Sequence, residues 1–238
     1  MNWLARLFGE PAVALSPTQA GRLAAWQALP AADASLPLAQ GRYVVVDVES
    51  SGLNVNRDRL IAIGAIAVVN GRIDLNDGLD IVLQQDKVSD KANILIHGIG
   101  GTAQRDGVPP ADALLTFLEY LGKDPLMAFH VAFDNTMISK ALKRHLGLRF
   151  EHPWSDLAYM SPALYIELVH RCRTLDDWTT HFGIGNFARH SALADALATA
   201  ELLLALGPRM RHRQIDCFRK MRDLYLAQKR ATSPLAGM

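Results

Sequence analysis

At 238 residues the chain can bury a full core, and one domain with additions fits that length better than two. Half of its residues are hydrophobic and 21% are charged, the balance of a soluble globular protein. The formal net charge of +1 excludes a global field that would draw it onto nucleic acid or membrane, so a nucleic-acid partner must be held by a local patch. Cys172 and Cys217 are too few for a disulfide framework and fit a reducing compartment. No run of about 18 apolar residues occurs, and the start MNWLARLFGEP lacks the basic-then-apolar order of a signal peptide. The expectation is a cytoplasmic protein with no membrane partner.

Residues 1–40, punctuated by Pro11, Pro17, Pro30 and Pro37, read as an N-terminal helical extension packed on the domain. Ser16-Pro17 predicts an N-cap followed by proline at the first helical position, with the helix running to about Leu29. Tyr43–Gly52 (YVVVDVESSG) is next, an almost wholly apolar strand of the kind covered on both faces. Asp47 and Glu49 stand two residues apart and so point to one side of it. Two adjacent carboxylates at the end of such a strand need a cation or a shared proton. A solvated strand end or a pair of turn caps would look the same from these ten residues.

Leu60–Val69 is a second buried strand, and Asn70-Gly71 is a hairpin turn into an antiparallel partner, Arg72–Leu83. Ala111–Leu121 has helical spacing, Leu126–Phe129 is a short strand, and Asn135–Leu146 is a helix opened by Asp134. Asp156–His170 reads as helical with a break near Pro162. Thr174–Asp177 is a capping box, and Ser191–Leu206 is a strong helix former. Pro208–Arg230 reads as a final basic helix with eight Lys or Arg against two Asp. A three-stranded meander followed by crossover helices gives an α/β fold: a mixed sheet with helices on both sides.

Three acidic segments follow one another along the chain. They are Asp47-Val48-Glu49, Phe133-Asp134, and His190 five residues before Asp195. Each alone has an ordinary reading as a cap, a surface charge or one of eight histidines. Together they make four carboxylates and a histidine, all at element ends that could meet above the first strand.

In these segments the chain resembles the DEDD-h family of 3′-to-5′ exonucleases, which includes the proofreading epsilon subunit of bacterial replicative polymerase and RNase T. The family pattern D-x-E-x-x-G-L is matched by Asp47, Glu49, Gly52 and Leu53, its F-D by Phe133 and Asp134, and its H-x-x-x-x-D by His190 and Asp195. His97-Gly98-Ile99 resembles a family loop, and the likeness covers roughly Gly41–Leu206. Two positions depart from it. Ser50-Ser51 replace a usual Thr-Thr, and Phe129 and His130 stand where the family has His and Asn.

The resemblance implies an RNase H-like, five-stranded mixed sheet over residues 41–206, with 207–238 a C-terminal basic helix. It implies two Mg²⁺ or Mn²⁺ ions about 3.5–4 Å apart, held by Asp47, Glu49, Asp134 and Asp195, with His190 as general base. Substrate contacts are expected from Ser50, Ser51, Gly52, Leu53, His97, His130 and Phe133. The implied reaction releases nucleoside monophosphates from the 3′ end of a single strand, DNA before RNA, in proofreading or repair beside a polymerase or repair partner. The alternative is an inactive nucleic-acid-binding or polymerase-docking module that kept the fold.

Overall fold

The computed structural model describes residues 13–185 and 188–232, so the start MNWLARLFGEP and the last six residues of the expected 207–238 helix lie outside it. Helix α1 (Pro17–Ala28) opens as expected, with the Ser16 hydroxyl accepting from Gln19 N–H and Gln19 answering at the Ser16 N–H. Three strands follow: β1 (Arg42–Ser50), β2 (Leu60–Val69) and β3 (Arg72–Val82). Two short helices come next, α2 (Lys91–His97) and α3 (Gly101–Arg105), then α4 (Pro110–Leu121). Strand β4 (Leu126–Ala128) leads into α5 (Val131–Leu146), and β5 (Trp154–Asp156) into α6 (Leu157–Leu164) and one 3-10 turn, Ile166–Leu168. Helices α7 (Leu175–Phe182), α8 (Ala192–His212) and α9 (Phe218–Thr232) complete the described residues.

The five strands lie in the order β3-β2-β1-β4-β5; the first three are antiparallel and β4 and β5 run parallel to β1. β1 is therefore the central strand, which is why it is apolar on both sides. Val44, Val46 and Val48 face the layer of α1, α4 and α5, where Leu114, Phe117 and Leu118 are fully buried. Tyr43 and Val45 face the layer of α6 to α9, where Trp178, Leu202 and Leu206 are buried. Each such side chain contributes roughly 1.5–3 kcal/mol. β3 is an edge strand and carries Asp74, Asn76, Asp77 and Asp80 along a largely exposed course, which discourages pairing with another chain. No helix among the described residues is long and apolar enough to cross a membrane.

Three elements differ from the sequence reading. Helix α5 begins at Val131, not Asn135, so Asp134 sits inside its first turn and is not its cap. The cap comes from β5, whose Asp156 carboxylate accepts from His130 N–H and Val131 N–H, each at 3.0 Å. Trp154–Asp156 is a strand that the sequence reading did not include, and the helix read as Asp156–His170 runs from Leu157, capped by Asp156, only to Leu164. Third, the helix predicted to stop at Leu206 continues through Pro208 to His212; the chain reverses near Gln214 (φ 57°), and the last helix starts only at Phe218. Pro208 removes one bond, to the carbonyl of Leu204, a residue on the partly exposed side of α8.

Candidate active site

The end of β1 is left ragged on one edge. β4 pairs only with Val44 and Val45, so the backbone of residues 47–49 is open on that side. The first turn of α5 fills the gap, and the buried Asp134 carboxylate hydrogen-bonds the backbone of Val48 as well as its own N–H. On its other edge β1 stays paired with β2 as far as a bulge between Glu49 and Ser50. Such bulges re-aim side chains at sheet ends.

Asp47 pairs in register with Gly64 of β2, and that glycine is what lets α8 come close. A Cβ at Gly64 would overlap the backbone of Ala192 and Leu193, so α8 begins directly on the strand next to Asp47. Asp195, one turn in, then points at the pair on β1. Oxygen atoms of Asp47, Glu49 and Asp195 all lie within 4.8 Å of one another. Asp134 comes from the opposite layer; it is not one of the three whose oxygens meet, but it is close enough for its charge to act on Asp47.

The electrostatics follow from that crowding. Burial, and then the charges of Asp134, Asp195 and Glu49, push Asp47 well above the ordinary carboxylate range. Glu49 is pushed up to about 8 by burial and by Asp195. Asp134 is also raised, by burial first, against the pull of its backbone hydrogen bonds. Arg189 offsets part of this: its guanidinium ion-pairs Asp195 and lowers both Asp47 and Glu49, while its Nε sits 2.7 Å from Asp176 Oδ1 at the start of α7. One guanidinium cannot balance four carboxylates. The donor set, hard oxygens that resist ionising unless a cation is near, fits a divalent ion.

His190 precedes α8 in a left-handed backbone conformation (φ 62°), its ring exposed and its backbone N–H donated to Asp195 Oδ2 at 3.2 Å. Ser50 Oγ donates to Gly52 O at 2.7 Å, and Ser51 Oγ donates to Asp58 Oδ1 at 3.1 Å while accepting from Arg59 N–H. Both hydroxyls thus shape the turn, which leaves Leu53, 88% exposed, at its tip. His130 is exposed, with its ring 4.9 Å from that of Phe129 and its φ at 71°, and Phe133 packs on the core.

His97 departs from the role expected for it. It is buried, its Nδ1 accepts from Ile99 N–H at 2.9 Å, and its Nε2 lies 2.9 Å from Asn93 Oδ1. Both nitrogens are engaged inside the α2 loop, so the ring holds that loop's shape. The sequence reading gave no part in the site to three residues: Asp156, Arg189 and Gly64. Only Gly64 left a signal, as a lone glycine inside the apolar run LIAIGAIAVV.

Residues 44–203 match the sequence model of the RNase T-type exonuclease family. A PolC-type DNA polymerase III of Thermotoga petrophila is 28% identical over 162 residues, 68% of this chain but only 12% of that protein. The DNA polymerase III epsilon subunit of Aquifex aeolicus is 26% identical over 176 residues, covering 71% of this chain and 82% of its own. Among solved structures, Escherichia coli exonuclease I in complex with a dT13 oligonucleotide superposes with a TM-score of 0.62 at 18% identity, over 73% of this chain and 42% of that one. That likeness is one of fold.

Proposed function

The chain belongs to this exonuclease family, and from that premise we propose that it hydrolyses the terminal phosphodiester at the 3′ end of a single nucleic-acid strand, DNA before RNA. The observation that carries the reading is the meeting of Asp47, Glu49 and Asp195 within 4.8 Å at the end of the central strand. These three, with Asp134 behind Asp47, would hold two divalent ions, Mg²⁺ or Mn²⁺. When bound, the ions supply Lewis acidity, lowering the pKa of the attacking water and offsetting charge on the phosphate.

The protein's own groups do the rest. The bulge at Glu49 and the close seat of α8 on Gly64 hold the carboxylates in place before substrate arrives. His190, exposed on the loop before α8, takes the proton of the attacking water. The Ser50–Gly52 turn and Leu53 receive the terminal nucleotide, and Leu53, apolar and exposed, presses on its base, which favours an unpaired end. The epsilon and PolC relatives support a place beside a DNA polymerase, in proofreading or repair.

Two variants separate the roles. Asp47→Asn is expected to abolish hydrolysis of a single strand in Mg²⁺ or Mn²⁺. His190→Ala is expected to retain cation binding, read by calorimetry, and to lose about 10²–10⁴ in rate. Near wild-type turnover by Asp47→Asn would reject the assignment of the cluster.

A further inference from the structure

The loop that leaves the carboxylate cluster and the helix that carries Asp134 also bound a second concavity, a cleft of about 550 Å³. One wall is a stripe of α5. Met137, Lys140, Ala141 and Arg144 recur at helical spacing, so the two buried apolar side chains form floor and the two cations form rim. Leu60 and Leu83, both buried, extend the floor, and Arg57, Arg59 and Lys87 complete the rim.

The charge there is lopsided in a chain whose net charge is only +1. Five fixed cations line the cleft against Asp58 and Asp86. Asp58 is directed inward, its carboxylate accepting from the Ser51 hydroxyl and the Asn54 N–H. Arg59 and Lys140 hydrogen-bond neutral acceptors: Gln85 Oε1 and Lys87 O for the first, Val55 O and Asp58 O for the second. Their charge is thus left to act on whatever enters. A rim of fixed cations along a cleft suits the phosphates of a strand, which bind by charge without regard to sequence.

The cleft is also in the right place. Lys140 ties α5 to the carbonyls of the loop that begins at Ser51, so the cleft is joined to the loop that leaves the cluster. Arg144 lies ten residues beyond Asp134 on the same helix, roughly 15 Å of axial rise.

We propose that this cleft grips the phosphates of a single nucleic-acid strand upstream of the 3′ terminus held at the carboxylate cluster. The inference rests on the nuclease reading above and adds to it a second contact that ties affinity to strand length.

The test is fluorescence anisotropy of a labelled strand of ~16 nucleotides in EDTA, across a series of salt concentrations. It compares the wild type with Arg57→Ala/Arg144→Ala and with Arg57→Lys/Arg144→Lys; both positions are exposed, so folding is spared. The alanine pair is expected to weaken binding about tenfold or more and to flatten the log–log salt slope by ~1.4, two phosphate contacts' worth. The lysine pair is expected to keep the slope. An unchanged slope in the alanine pair overturns the proposal, and so does competition by thymidine 5′-monophosphate as strong as that of the strand, which would make the cleft a mononucleotide pocket. Hydrolysis of the p-nitrophenyl ester of thymidine 5′-monophosphate in Mn²⁺, measured on the wild type, judges the nuclease reading separately. Its absence would count against that reading and leave the anisotropy result to decide the cleft.

Discussion

Arg189 is the residue on which the ion-free site turns. Its guanidinium pairs with Asp195 and lowers Asp47 and Glu49, so it supplies positive charge that a divalent ion would otherwise bring. Arginine and cation therefore compete for one carboxylate. Arg189→Gln is expected to tighten Mn²⁺ binding by roughly tenfold, about 1.4 kcal/mol, since a unit charge a few ångströms away counts for that much even when well screened. The same variant should melt earlier in EDTA. Calorimetry and thermal melts read both effects; weaker Mn²⁺ binding would mean that Arg189 positions Asp195 instead. Asp47 and Glu49 were legible in the sequence because a strand of period two sets them side by side. Arg189 was not, because its importance comes from Asp176 and Asp195, and only the second lies nearby in the chain.

At the scale of elements, the sheet's antiparallel half could be read directly: two apolar runs joined by Asn70-Gly71 leave little choice. The parallel half was harder. β5 is three residues long, too short for periodicity to register, and its Asp156 does work for another element. The Asp156 carboxylate takes N–H groups from His130 and Val131 at the start of α5, and from Ala158 on its own helix. A local reading gave the cap to Asp134, since no sequence rule points 25 residues ahead. Asp156→Ala is expected to cost about 2 kcal/mol, the upper range for a lost cap, or roughly 4–8 °C in melting temperature for a domain of this size. It should also loosen Asp134 and lower cation affinity. A variant that melts with the wild type would show that α5 needs no borrowed cap.

The molecule as a whole carries a linkage between pH, cation and stability. Glu49, ordinarily near 4.5, is raised to about 8, and Asp47 and Asp134 are raised with it. A carboxylate whose pKa is higher in the folded state makes its stabilising contribution below the unfolded pKa and loses it as pH rises through the folded one. In EDTA the melting temperature should therefore fall between about pH 4.5 and pH 8. With Mg²⁺ or Mn²⁺ the loss at high pH should largely disappear, because a ligand bound by the folded state alone stabilises it by mass action. Equal melting curves with and without cation at pH 8 would contradict the linkage.

Two helical layers meet at one strand end here, α5 from one side of the sheet and α8 from the other, and the acidic cluster exists only because they do. The central claim is that this cluster acts on a free 3′ end, and a single strand labelled at its 5′ end tests it most directly. In Mg²⁺ or Mn²⁺ the account predicts a descending ladder of labelled products, absent in EDTA and stopped by a blocking group on the 3′ terminus. Cleavage of a circular single strand, or a ladder indifferent to the 3′ block, would contradict it.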